Sequence, residues 1–413
     1  MSDVVVVGGG AAGLMAAGTA AYYGADVTLL EKNSRTGRKI LVTGKGRCNL
    51  TNNCDNSTFI ANVPTNPRFL YSAINNFTTQ DTIDFFNDLG LQTKTERGNR
   101  VFPISDRAMD VADALRNFVD NSGVNVIEST VKTLITDNIK VTGVTDTMGR
   151  QYNADCVIIA TGGLSYPGTG STGDGYKLAR SVGHKVTELK PSLVGLVSSD
   201  KFCGQLQGLS LKNVRLTVYE NGAEIYSDFG EMLFTQNGIS GPMVLSASAN
   251  MRNFGKKSYN VKIDLKPALS EEKLDLRLQR TFEKYKNNQL NNSFKELLPK
   301  KLIPVILDLW GVEPTKRCNS VTKEERYALN KLLKNLKINI KSLGSIKEAI
   351  ITSGGVSVKE INPKTMESKM VSGLFFCGEV IDVDAYTGGF NLQIAFSTGR
   401  LAGYYSAINS MPY

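Results

Sequence analysis

Four consecutive valines, Val4 to Val7, run directly into Gly8-Gly9-Gly10, and this junction constrains the fold more than any other part of the 413-residue chain. The run is too short for a buried helix and is bounded by glycine, which marks a parallel strand in a sheet covered on both faces. Gly8, Gly10 and Gly13 then fit the spacing G-x-G-x-x-G and open an alanine-rich helix over residues 11–21. The first glycine permits the tight turn, the second lets the backbone approach a pyrophosphate, and the third lets helix and strand pack closely. The unpaired N–H groups and positive dipole end of the helix face the phosphates. A second strand over 27–30 ends in Glu31, 18 positions after Gly13, where a carboxylate accepts hydrogen bonds from ribose hydroxyls. Alone, this signature leaves NAD and FAD undecided.

Two further segments have the same character: VIIATGG (157–163) and LFFCGEVIDVDAYTGGFNLQ (374–393). Three strand ends that can reach one extended cofactor point to a flavin. The fold class expected is α/β: a discontinuous Rossmann-like FAD-binding domain over 1–190 and 346–413, with an inserted β-rich domain over 191–268 and a helical subdomain over 269–345. Within the first part, amphipathic helices are expected near 79–89 and 106–121, and short strands from 124 to 159 read as a β-meander followed by the buried strand before ATGG. In the insert, KNVRLTVYENGAEIYSD is a hairpin turning at Asn221-Gly222. Residues 270–341 read as helical, with starts at Ser270 and at the capping box Thr322 to Glu325. A final strand, glycine loop and helix over 393–407 complete the chain.

The 48 basic and 39 acidic side chains give a net charge of +9. The excess reads as spread along the chain, with modest lysine enrichment over 295–341, and fits a soluble surface better than a nucleic-acid partner. No 18-residue apolar run occurs, and the N-terminus enters a core strand without a basic leader, so a soluble, cytoplasmic protein without a membrane partner is expected. The six cysteines show no metal spacing; only Cys48 and Cys54 are near enough to suggest a redox disulfide. The single histidine, His184, rules out a histidine metal cluster and leaves at most one histidine-based triad; it reads as structural. No metal site is expected, and the demanding chemistry falls to a cofactor.

GGGAAG, LLEKN, GRKILVTGKGRCNLTN, NRVFP, ATGGLSYPGTGSTGDGY, LFTQNGISGP, TMESK and GLFFCGEVIDVDAYTGGFNLQIAFSTG follow one another in an order that resembles the BaiN/YhiN-like (HI0933-like) flavoproteins. That family of NAD(P)/FAD-dependent oxidoreductases includes members assigned as 3-dehydro-bile-acid reductase and as aminoacetone oxidase. The resemblance spans nearly the whole chain and is weakest over 270–345. It implies FAD held by Gly8, Gly10, Ala12 and Gly13 at the pyrophosphate, by Glu31 and Lys32 at the adenosine ribose, and by Val131 at adenine. Gly46, Arg47, Cys48 and Asn49 would lie along the ribityl chain and ring. Thr161, Gly162 and Gly163 would turn over the pyrophosphate, and Gly378 and Glu379 would meet the ribityl or phosphate oxygens. Gly389, Phe390, Asn391 and Leu392 would bring a helix N-terminus to the ring, where its dipole stabilises the negative charge of the reduced flavin.

Catalytic candidates are Arg47, Tyr166 and Tyr386 as proton donors or substrate clamps, and Arg100 at the substrate mouth. The resemblance also leads to a histidine where this chain has Gln236. The reaction expected is hydride transfer from NAD(P)H, bound transiently, through flavin N5 to an activated alkene of a small-molecule substrate such as a steroid-like enone. An amine oxidase that forms hydrogen peroxide, and a non-catalytic flavoprotein that binds RNA or a protein, are the alternatives.

Overall fold

The computed structural model describes residues 2–408. The chain forms two compact units, one drawn from both ends of the sequence and the other from Leu193–Gly344.

The first unit is organised by a five-stranded parallel sheet, in the order Leu374–Phe376, Cys156–Ile159, Asp3–Val7, Asp26–Glu31 and Asn125–Glu128. Val4 to Val7 are at most 5% exposed, the burial a valine run needs to stand as a central strand. Val7 lies opposite both Ile159 and Leu30, and Ile159 opposite Phe376, so the carboxyl ends of four strands finish at one edge. Ligand crevices form at such an edge. Helix Ala11–Tyr22 packs against helix Phe390–Ile408 at backbone contact: side chains at Gly399 and Gly403 would meet the carbonyls of Ala12 and Ala16 at 2.4 and 2.3 Å.

Several elements differ from the sequence reading. Asn125–Glu128 pairs with Asp26–Glu31 as an outer strand of the parallel sheet, so the antiparallel meander consists only of Val131–Asp137, Lys140–Asp146 and Gln151–Asn153. The last helix begins at Phe390, three residues earlier than expected. A small antiparallel sheet of Thr51–Asn52, Arg100–Pro103 and Thr93–Glu96 stands beside the loop that precedes it.

The second unit is a closed barrel of Leu196–Ser198, Gly238–Ser240, Ala223–Thr235, Ser210–Glu220, Tyr259–Asp264 and Leu336–Leu343. Its long hairpin turns at Asn221 and Gly222, both at positive φ (49° and 87°), the conformation that favours Asn-Gly. Helices Glu271–Lys284 and Lys323–Lys334 are capped by Ser270 and by the reciprocal Thr322–Glu325 box. The expected boundary near 268 does not separate two bodies, because Leu336–Leu343 returns to complete the barrel. Leu274, Leu278, Leu329 and Leu333 share one core with Leu216, Val261 and Ile338.

The charge divides as sharply as the fold. Residues 193–344 hold 24 basic and 15 acidic side chains, a net +9, while the remaining 24 basic and 24 acidic side chains cancel. The excess is confined to the insert instead of being spread along the chain. Among the described residues, no helix is long and apolar enough to cross a membrane.

Candidate functional site

At the carboxyl edge of the parallel sheet lies a cleft that opens to solvent and is lined entirely by the first unit. Gly8, Gly10 and Ala12 form its floor. Gly8 sits at φ 104°, and a Cβ on Gly13 would lie 1.8 Å from the Gly8 carbonyl oxygen, so the turn can close only on glycine. Helix Ala11–Tyr22 starts at Gly10 with no side-chain cap and no acidic residue in its first turn. Its first N–H groups have no intrahelical acceptor, which makes this end of the cleft an anion site. Gly13 stands behind the floor as a packing residue.

Glu31 closes one end of the cleft and is buried. Its Oε2 accepts from the Gly9 N–H at 2.7 Å, and its Oε1 from the Asn33 backbone and side chain at 2.9 and 2.5 Å. These bonds orient the carboxylate; Asn33 takes up Oε1, and Oε2 keeps acceptor capacity for a ligand hydroxyl. Lys32 also lines the cleft, paired with Asp174 at 2.7 Å and bonded to Thr172, and so ties the 169–174 loop to the strand end. Val131 lines the same end. Thr161 and Gly162 cross the middle. The Thr161 hydroxyl is buried without a hydrogen-bond partner among the described residues and turns toward helix Asp174–Ser181, where a Cβ on Gly175 would lie 2.1 Å from it, so the cleft is met by the rest of the residue.

At the far side Glu379 lines the cleft with most of its acceptor capacity spent within the protein. Its Oε2 pairs with Lys39 at 2.5 Å, and its Oε1 accepts from Ser165 at 2.7 Å and from the Thr352 N–H at 2.8 Å. Gly163 is small for this network: a Cβ there would meet Thr352 Oγ1 at 2.4 Å and Glu379 Oε1 at 2.7 Å. Gly378, at φ 74°, lets its turn lie against Ala12.

Asn391 and Leu392, in the first turn of the last helix, line the cleft. The Asn391 side chain is nevertheless occupied with the Ala385 N–H and C=O and with the Tyr386 C=O, and so fixes the preceding loop. Gly389 is glycine because a Cβ would lie 2.3 Å from the Thr51 carbonyl oxygen; this close backbone approach, and not room for a ring, requires it. Phe390 is buried edge-on against Phe59.

The 44–49 loop lies outside the lining of the cleft. Gly46 is exposed at φ 84°. Arg47 pairs with both Glu96 and Asp106 and stacks on Phe102, and these carboxylates hold its pKa well above the usual arginine value. Arg47 is thus a latch on the small sheet. Cys48 is fully buried and its thiol is pushed up to about 12 by burial, while half-buried Cys54 is pushed up to about 11; both are free, so the redox disulfide is absent. Asn49 Oδ1 is a second buried acceptor without a partner among the described residues.

The remaining candidates are dispersed. Arg100 is exposed, donates to the Arg97 carbonyl and lies over the Phe102 ring. Tyr166 is half-buried at φ 52° at the start of a short turn, and Tyr386 is half-buried with its N–H donated to Asn62. Gln236 is exposed at a turn of the barrel. His184 is buried between Glu360 (3.1 Å), Ser368 (2.8 Å) and the edge of Phe376, a structural environment. Sequence reasoning passed over Lys39, Asn33 and Arg38, which all line the cleft. The basic run Arg35, Arg38, Lys39 directly after the Glu31 strand was the available signal.

The model of the HI0933-like protein Rossmann domain matches residues 2–405. A 3-dehydro-bile acid delta(4,6)-reductase of Clostridium scindens is 31% identical over 98% of each chain. Ribosomal RNA dihydrouridine synthases of Haemophilus influenzae and Escherichia coli are 33% and 31% identical over 96% of each chain. In fold, the chain resembles the 3-ketosteroid delta1-dehydrogenase of Sterolibacterium denitrificans, with TM-score 0.53 and 14% identity over 99% of this chain and 100% of that one. It also resembles a flavocytochrome c3 fumarate reductase, with TM-score 0.50 and 17% identity over 100% of this chain and 79% of that one. Together with the uncapped glycine turn and the oriented Glu31, which fit a bound dinucleotide, these matches show that the chain belongs to the HI0933-like protein family of FAD-dependent oxidoreductases.

Proposed function

We propose that the protein reduces a carbon–carbon double bond conjugated to a carbonyl, and that the substrate carrying it is a uracil base in RNA. When bound, FAD supplies the two-electron hydride chemistry. The N–H groups of Ala11 and Ala12 would hold its pyrophosphate and Glu31 its ribose, with Val131, Thr161 and Gly162 alongside. Asn391 and Leu392 would place the positive end of a 19-residue helix at the ring end of the cleft, where it favours negative charge. NADH or NADPH is the proposed donor.

The reaction class draws on what the two kinds of relative have in common. A 3-oxo steroid unsaturated at carbons 4 and 6 and the C5=C6 bond of uridine, saturated in dihydrouridine, are both alkenes conjugated to a carbonyl. One observation carries the choice of RNA over a free steroid: the whole +9 excess lies in the insert, while the cofactor unit is neutral. Such a field steers a polyanion, with a charge at every nucleotide, far more strongly than a bile acid with its single carboxylate. The charge partition is what supports a nucleic-acid partner here, against the expectation drawn from the sequence. A steroid-like enone is the second reading, on the strength of the bile-acid reductase likeness.

The test is anaerobic reduction of the purified flavoprotein with NADH or NADPH, followed by reoxidation with a ribosomal RNA transcript, a steroid enone or oxygen. RNA reoxidation with a gain of two hydrogens on uridine is expected. Reoxidation by the enone alone would move the assignment to the second reading. Flavin reduction by aminoacetone, with hydrogen peroxide formed under oxygen, would overturn both in favour of an amine oxidase.

A further inference from the structure

The lysines of the insert are scattered over its helices, loops and strands, and one group lies across the barrel wall. Strands Ser210–Glu220, Tyr259–Asp264 and Leu336–Leu343 are adjacent and antiparallel. Val218, Val261 and Ile338 point into the core, so the intervening side chains form an outer face. On that face Thr217 lies opposite Lys262, and Lys262 directly opposite Lys337. Opposed like charges on neighbouring strands destabilise a sheet, and a fold selected for stability alone would place a carboxylate at one of them. Among the described residues, no ion pair joins Lys262, Lys337, Lys341 or Arg215 to an acid; Asp264, the acid in register with Arg215, is paired with Lys334.

The same face carries aromatic surface. Phe229 lies opposite Arg215 and is 44% exposed, and Tyr219 lies two positions from Thr217 with the Lys262 ammonium 4.4 Å from its ring. Uncompensated cations interleaved with aromatic rings on an antiparallel sheet match the two components of single-stranded nucleic acid: phosphates that need neutralising charge and bases that stack.

We propose that this outer barrel face is the RNA-docking surface, with Lys262, Lys337 and Arg215 on the phosphates and Phe229 as a stacking platform. The assignment rests on the RNA reading of the function and adds where the strand is held. Asp200, whose carboxylate is bonded to Asn339, marks one border of the face.

The experiment measures binding of the intact FAD-loaded protein to a labelled single-stranded ribosomal RNA fragment across a salt series. Comparison proteins are the Lys262→Ala/Lys337→Ala double variant, Phe229→Ala, and a Lys273→Ala/Lys323→Ala control on the helices. The barrel double variant should bind at least tenfold more weakly. Its salt slope should fall by about 1.4, from ~0.7 per phosphate contact. Phe229→Ala should weaken binding without changing the slope, and the helix control should change neither. Removing one of two opposed lysines relieves repulsion, so Lys337→Thr should bind more weakly while melting no lower than wild type; this separates lost contact from lost folding.

Wild-type binding with unchanged affinity and slope in the barrel variants overturns the docking surface and leaves the RNA reading standing. Failure of the wild type to bind RNA at all overturns both. Loss of binding to phosphatidylserine vesicles, with RNA binding retained, would reassign the face to a membrane surface.

Discussion

The two units solve opposite problems. The cofactor unit balances 24 basic with 24 acidic side chains and devotes its sheet edge to one cleft, whereas the insert carries the net +9 on a barrel closed by its own last strand. The difference separates two kinds of recognition. Binding a cofactor needs a few oriented dipoles, such as the uncapped helix at Gly10 and the Glu31 carboxylate, and little net charge. Holding a long polyanion requires net charge spread over a surface, with little depth.

The comparison breaks first at its tightest backbone contacts. Gly13→Ala places a methyl 1.8 Å from the Gly8 carbonyl oxygen, and Gly238→Ala places one 2.0 Å from the Leu196 carbonyl oxygen in the barrel. Each should cost ~3 kcal/mol, at the upper end of overpacking penalties, read from the denaturant midpoint. The flavin spectrum of the purified protein should separate them: Gly13→Ala loses bound FAD, and Gly238→Ala keeps it. Equal flavin loss would mean that the units do not divide cofactor binding as proposed.

The two units were not equally legible. Where structure follows from neighbouring residues, the sequence was enough: the valine strand, the glycine turn, the Asn221-Gly222 hairpin and the Thr322 capping box all arise from local geometry. Leu336–Leu343 alternates buried and exposed residues, a readable period of two, yet its lysines continue those of the preceding helix and its partner Tyr259–Asp264 lies beyond four α-helices. At the site, the Glu31 environment is local, but Glu379 is held by Lys39 from 340 positions away. A glutamate after glycine therefore looked like a ligand to oxygen when most of its acceptor capacity is spent inside the protein. Asn391 and Gly389 likewise answer to loops brought alongside by the fold, a demand that their own neighbours in sequence do not reveal.

Such long-range polar ties should give the next largest effect. Gln393 is fully buried, accepts from Thr51 at 2.6 Å, and donates to the Phe77 and Thr78 carbonyls and to Ser397. Gln393→Leu keeps the volume but strands the Thr51 hydroxyl, so a loss of ~2 kcal/mol is expected. The start of the last helix should loosen too, seen as faster amide exchange over residues 390–393. A denaturant midpoint equal to wild type would show that this network only accompanies the packing of the helix.

The smallest effect locates acid sensitivity in one unit. His184 is the only histidine of the chain and lies in the cofactor unit. Burial lowers its pKa from the ordinary 6.5, opposed by the Glu360 carboxylate, and the first influence wins. The folded state thus binds its proton less readily than the unfolded chain. Its contribution to stability is complete above about pH 6.5 and declines as pH falls below it, because the unfolded state gains the proton first. A ring titration by NMR should give a midpoint below 6.5. On going from about pH 7.5 to about 5.5, the cofactor unit should lose stability while the histidine-free insert holds its own, and His184→Gln should flatten the loss. A midpoint above 6.5 would mean that Glu360 outweighs burial; stability would then rise on mild acidification, and the insert would be the less acid-resistant unit.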